Sequence, residues 1–133
     1  MNVVSTIGRS YLFQAAHRLP HVPPGHKCGR LHGHSYKLSV RIRGRTDLTI
    51  GWLMDFAMLD AIVKTTILAQ LDHVYLNDVE GLSNPTSENI AWWIWKHLEI
   101  CAWPDGVALF GITVEENDHS FVSMEADLDP AER

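Results

Sequence analysis

A chain of 133 residues, 46% of them hydrophobic, fits one domain with a real apolar core and is too short for two independent units. Its net charge of −5 argues against nonspecific nucleic-acid binding, and no apolar run approaches the ~20 residues that a membrane span needs. Two cysteines, Cys28 and Cys101, cannot staple a chain of this size, and the N-terminus lacks a signal-peptide pattern, so a reducing, cytoplasmic setting is expected.

The first stretch, Ser5 to Ala16, reads as a strand that ends at His17. Pro20 to Gly33 follows, with Pro20, Pro23, Pro24, Gly25 and Gly29; it is too rich in breakers for a helix and too long for a simple hairpin turn. Loops of this length in compact domains are functional or disordered. This one closes with Cys28-Gly29-Arg30-Leu31-His32-Gly33-His34.

Ser35 to Ile42 alternates Tyr36, Leu38, Val40 and Ile42 with Lys37, Ser39 and Arg41, the period of a half-buried strand. If that strand continues upstream, His32 and His34 fall on one face, and a neighbouring antiparallel strand can bring His17 to the same face. Three histidines with an open fourth position are the usual ligand set of a catalytic Zn2+. Cys28 as a fourth ligand would instead make the zinc structural. Lys27 and Arg30 beside Cys28 favour a thiolate.

Charge is segregated along the chain. Residues 1–46 hold eight Lys and Arg and no acid, while residues 47–133 hold all 16 acids and three cations, so +8 and −13 give −5. Either the basic strands are solvated or paired with acidic surface, or some cations, among them Lys27 and Arg30 with His26, meet a small polyphosphate.

Asp55 can cap a helix running to about Gln70, with Phe56, Leu59, Ile62, Val63 and Ile67 on its apolar side. Asp72-His73 follows, a carboxylate next to an imidazole, which is the usual way to poise a proton relay near neutral pH. A second helix is expected from Thr86-Ser87 to about Glu99, with a stripe of Ile90, Ala91, Ile94, Trp95 and Leu98 that Trp92 and Trp93 widen toward a second buried contact. Thr86, Ser87 and Glu88 are good cap and first-turn residues. Gly106 to Val114 and Ser120 to Ala126 read as two more strands, Glu116 lies just past the first of them, and the acidic tail from Asp127 is expected to fray. The order strand, strand, helix, helix, strand, strand implies an α+β domain, two helices covering one face of a four-stranded antiparallel sheet.

Several motifs in order, Arg18-Leu19-Pro20-His21, Cys28 with His32 and His34, Leu71-Asp72-His73-Val74-Tyr75-Leu76-Asn77-Asp78, Asn84-Pro85-Thr86-Ser87-Glu88 and Val114-Glu115-Glu116, resemble the 6-pyruvoyltetrahydropterin synthase family over nearly the whole chain. Gly51-Trp52-Leu53-Met54-Asp55-Phe56 and the His21 to Arg30 loop are similar to its carboxy branch, the bacterial 6-carboxytetrahydropterin synthases of queuosine biosynthesis. The resemblance implies the tunnel fold, with protomers joined edge to edge into a barrel and two trimers forming a homohexamer, which also disposes of open strand edges. It implies Zn2+ on His17, His32 and His34, Cys28 as catalytic base, and Asp72 with His73 as a second catalytic pair that reaches the zinc pocket of an adjacent protomer. Glu116 would anchor the pterin ring, with Glu115 a competitor for that role; the family motif continues with threonine where this chain has Asn117. Thr86, Ser87 and Glu88 match a second ring-contacting segment. The implied reaction takes 7,8-dihydroneopterin triphosphate to 6-carboxy-5,6,7,8-tetrahydropterin, acetaldehyde and triphosphate; the pyruvoyl branch retains the side chain. A zinc-binding module without catalysis is the alternative of a different class.

Overall fold

The computed structural model describes residues 3–127; from residue 128 on, the tail expected to fray lies outside the described residues. Strand β1 (Val4–His17) and strand β2 (His32–Arg45) pair antiparallel along their whole length, from Val4 opposite Arg45 to His17 opposite His32. Both strands reach farther toward the loop than their own alternation indicates. Ala15-Ala16-His17 and His32-Gly33-His34 have little β propensity alone, and each is held extended by the ladder to the other.

β4 (Val107–Asn117) adds to the free side of β2, and β5 (Ser120–Glu125) adds to β4, both antiparallel. The expected four-stranded antiparallel sheet is corrected to a mixed sheet of five strands in the order β3-β1-β2-β4-β5. The extra strand, β3 (Val74–Tyr75), joins β1 in parallel at Ala15 and Ala16. Two residues are too few to show a period of two, so the sequence carries no signal for it.

Asp55 caps the first helix, its Oδ1 accepting the Ala57 N–H at 2.9 Å. α1 (Phe56–Val63) runs into a π turn over Lys64–Leu68 and then into α2 (Ala69–Leu71). Leu59, Val63, Ile67 and Leu71, four residues apart at each step, are fully buried. On a regular helix such a row drifts by about 40° per step, and the wider π turn takes back part of that drift, which keeps Ile67 and Leu71 against the sheet. Phe56 is 43% exposed rather than buried, with the Arg9 guanidinium over its ring.

In α3 (Ser87–Glu99) the buried residues are Ile90, Ala91, Trp93, Ile94 and Leu98. Trp93 rather than Trp95 completes the stripe, because its Nε1–H reaches the Glu80 carbonyl at 2.9 Å and so leaves no buried donor unpaired. Both helices cover the face of the sheet carrying Phe13, Tyr36, Leu38, Val40, Ile42, Ile112 and Val114. The odd-numbered residues of β2 face the other way. There Lys37 pairs with Glu115 at 3.8 Å and Arg41 with Glu125 at 3.6 Å; on the helix side Arg9 pairs with Asp60 at 3.1 Å. Three of the eight cations in residues 1–46 are therefore answered by acids from the rest of the chain. No helix among the described residues is long and apolar enough to cross a membrane.

Candidate active site

His17, the last residue of β1, and His32, the first of β2, face each other across the ladder, with His34 two residues on and on the same side. All three point to the helix-covered face, where the apolar core gives way to the long loop. Their candidate ligand atoms lie within 4.8 Å of one another. The His17 Nδ1–H donates to the Pro85 carbonyl at 2.8 Å and the His32 Nδ1–H to the Arg30 carbonyl at 2.7 Å. A carbonyl oxygen can only accept, so each proton sits on Nδ1 and both Nε2 atoms present bare lone pairs. Those two atoms are 3.0 Å apart. Lone pairs this close repel unless a cation lies between them, and backbone acceptors on the far ring nitrogens are the usual outer support of metal-bound histidines. The buried His34 Nε2 has no hydrogen-bond partner, and such an orphaned atom costs free energy unless something binds it. Burial is the largest effect lowering the pKa values of His17 and His34, which favours the neutral imidazole a metal requires. The donor set, burial and proton positions all fit a metal ion held by three nitrogens.

Tyr36 lies under this cluster, fully buried, its hydroxyl 3.3 Å from His17 Nδ1. Its alternation with Leu38 marks it only as a core residue, so nothing in the sequence separates it from the rest of the core. The Pro85 carbonyl gives no sequence signal either; the fold alone brings it to His17.

A cavity of about 370 Å3 opens beside the triad, lined by Lys27, Cys28, His32, His34, Glu116 and Asn117. Cys28 belongs to this wall but not to the ligand cluster of the described residues. Its half-buried free thiol lines the cavity outside the cluster of candidate ligand atoms. Glu116 Oε1 lies 3.3 Å from His34 Nε2 and 3.7 Å from His17 Nε2. Strand alternation turns Glu115 to the other face, where it meets Lys37, so Glu116 is the carboxylate that lines the cavity. Asn117 closes the β4–β5 turn, its Oδ1 accepting the His119 N–H at 2.8 Å.

Asp72 and His73 are in contact, Oδ1 to Nδ1 at 2.9 Å. Gln14 on β1 holds both: its N–H donates to Asp72 Oδ1 at 2.9 Å, and its carbonyl accepts the His73 N–H at 2.6 Å. The Gln14 N–H, followed by the His73 side chain, lowers the pKa of Asp72 and keeps its carboxylate ionised. His73 sits at φ 60°, a left-handed conformation costing ~1–3 kcal/mol outside glycine, and such strain persists where surrounding bonds over-determine it. The ring is 77% exposed and lines a groove of about 550 Å3 with His34, Gln14 and Ser35. His73 and Cys28 therefore line different cavities of one chain, and His34 lines both.

Arg30, Thr86 and Glu88 are not among the residues that line the triad cavity, although Thr86 follows Pro85, whose carbonyl meets His17. Arg30 lines a cavity inside the loop, not the triad cavity. Thr86 Oγ1 accepts the Asn89 N–H at 3.1 Å as the α3 cap, and Glu88 is exposed in the first turn. Replacing Thr86 by alanine is expected to lower stability by about 1 kcal/mol while leaving affinity for a ligand of the triad cavity unchanged. Chemical denaturation and a binding titration check both halves, and a loss of affinity at full stability would return Thr86 to the site.

A model of the family described as 6-pyruvoyl tetrahydropterin synthase matches residues 6–127. The chain is 44% identical over 97 residues, 70% of its own length and 74% of its relative's, to 6-carboxy-5,6,7,8-tetrahydropterin synthase from Synechocystis sp.. A relative from Pyrococcus furiosus named dihydroneopterin monophosphate aldolase is 31% identical over 114 residues, covering 86% of this chain and 95% of that one. Among solved structures, 6-pyruvoyl tetrahydropterin synthase from Caenorhabditis elegans superposes with a TM-score of 0.83 at 29% identity, covering 94% of this chain and 97% of that chain.

Proposed function

The chain belongs to the 6-pyruvoyl tetrahydropterin synthase family, and from that premise we propose that it is a zinc-dependent lyase. Its substrate is 7,8-dihydroneopterin triphosphate, which with one water gives 6-carboxy-5,6,7,8-tetrahydropterin, acetaldehyde and triphosphate, in the cytoplasmic pathway to queuosine. The observation that carries the reading is the cluster of His17, His32 and His34, its candidate ligand atoms within 4.8 Å of one another, opening onto a cavity walled by Cys28 and Glu116. The carboxy product, rather than the pyruvoyl one, rests on the 44% identity to the Synechocystis enzyme.

His17, His32 and His34 would hold the zinc, which when bound would supply Lewis-acid polarisation of the substrate's side-chain oxygens. Glu116 accepts two adjacent N–H donors of the pterin ring, a charge-assisted bidentate contact that orients the side chain over the triad. Cys28, with Lys27 on the same wall, takes a proton from the side chain as general base. His73, oriented by Asp72, exchanges protons on the opposite side, and triphosphate leaves before the side chain is cleaved. The protomers close edge to edge into a homohexamer, and the pair from one chain completes the pocket of the next.

Incubation with 7,8-dihydroneopterin triphosphate and mass identification of the products tests the reaction. The 6-carboxy pterin with acetaldehyde is expected; the pyruvoyl pterin would move the chain to the other branch, and an unchanged substrate would leave a zinc-binding module without catalysis. Glu116→Ala, placed in a Cys28→Ala background that does not turn over, is expected to weaken equilibrium substrate binding by about 1.5–3 kcal/mol for each charged hydrogen bond lost. An unchanged Kd would move the ring anchor away from Glu116.

A further inference from the structure

We propose that the cavity inside the loop between β1 and β2 is the subsite for the phosphate chain of the substrate, with Arg18, His26 and Arg30 as its anion ligands; this rests on the phosphorylated-pterin reading above. The cavity holds about 250 Å3 and is lined by all three residues. That is room for about eight waters of liquid, which suits a slender anion and excludes a macromolecule.

The two arginines are tied to the metal triad by short covalent paths. Arg18 follows His17 directly. Arg30 lies two residues before His32 and orients it, because its carbonyl accepts the His32 Nδ1–H at 2.7 Å. The single turn Lys27–Gly29 separates the loop cavity from the triad cavity. An anion in the loop cavity therefore lies next to a substrate side chain placed over the triad.

The chemistry of the walls points the same way. Among the described residues no carboxylate comes within ion-pair distance of Arg18 or Arg30, whereas Arg9, Lys37 and Arg41 each meet one. His26 Nδ1 accepts the Cys28 N–H at 3.0 Å, so its proton is on Nε2 and is free to donate. The loop is also set in advance: the Leu19 N–H donates to the Cys28 carbonyl at 2.8 Å and closes its neck, the Gly29 N–H reaches the His26 carbonyl at 3.0 Å, and Pro20, Pro23 and Pro24 restrict its backbone. Ordering cost on binding is correspondingly small.

Arg43 and Arg45 line a rival cavity of about 470 Å3 that also contains Asp127. There the Arg43 guanidinium already lies 5.5 Å from the centre of the Phe110 ring, and the cavity is at the end of the β1–β2 ladder opposite the triad.

The test is calorimetric titration of the zinc-loaded protein with inorganic triphosphate, orthophosphate and unphosphorylated dihydroneopterin. Triphosphate should bind best and lose affinity as NaCl is added. Arg18→Gln and Arg30→Gln should each weaken it roughly tenfold or more, with dihydroneopterin binding and zinc content unchanged; Arg18→Lys and Arg30→Lys, which keep the charge but not the fork, should fall between. Because wild type and variants carry the same ion, any difference reports the guanidinium groups. Arg45→Gln should behave as wild type. Undiminished triphosphate binding in the two glutamine variants, a loss confined to Arg45→Gln, or no triphosphate binding by the wild type would overturn the subsite. Tight triphosphate binding that depends on Arg18 and Arg30, in a protein that leaves dihydroneopterin triphosphate unconverted, would sustain the subsite and remove the proposed activity.

Discussion

Alanine at His17, His32 or His34 is expected to leave the purified chain with a small fraction of the one zinc ion per chain expected of the wild type. Each substitution removes one of three nitrogen ligands, and two neutral imidazoles hold zinc poorly without a third. His17→Ala should be the harshest, because His17 is 1% exposed and its loss also leaves the Pro85 carbonyl without its donor. Elemental analysis of the three variants is the measurement; full retention in all of them would end the assignment. Acid should act in the same direction. His17 and His34 have folded pKa values below the ordinary imidazole value, so the unfolded chain binds more protons than the folded one as pH falls. Metal-free protein should keep its full stability above about pH 6.5 and lose it progressively below, and zinc should dissociate over the same interval because protons compete for the lone pairs. A melting temperature of the metal-free protein that rises on acidification from neutral pH would contradict the burial of these rings.

How much of this can be read from residues alone depends on the range of the force that sets each feature. The alternation of Tyr36, Leu38, Val40 and Ile42 is local, and all four are fully buried. The capping residues Asp55 and Thr86 are equally local, and both accept the backbone N–H bonds expected of them. The His-x-His spacing places two ligands on one face by geometry alone, and the third needs only an antiparallel neighbour, which the His17–His32 register supplies. What resists reading is set by tertiary contact. β3 exists because β1 offers a free edge at Ala15 and Ala16, not because Val74 and Tyr75 form a pattern. The choice between Glu115 and Glu116 turns on the phase of β4, which shows only once Val114 and Ile112 are known to face the helices. The left-handed backbone at His73 is held by Gln14, 59 positions upstream, and no propensity for histidine encodes it.

The separation of the pair from Cys28 leads to the last expectation. Cys28→Ala should retain zinc, since the thiol lies outside the ligand cluster, and should lose turnover because no other side chain on that wall replaces the base. His73→Ala should also be inactive with its metal in place. Within one chain His73 lines the groove beside β3 and Cys28 lines the cavity beside β4, so the pair is free to serve a neighbour's site if protomers close edge to edge as proposed. Co-refolding the two variants should then create interfaces in which an intact Cys28 from one chain meets an intact Asp72-His73 from the other. A fraction of wild-type activity should return in the mixed oligomers, while each variant refolded alone stays inactive. Mass spectrometry of the intact assemblies establishes that mixing has occurred. If mixed oligomers form and remain inactive, the cysteine and the pair act within one chain, through the His34 that lines both cavities.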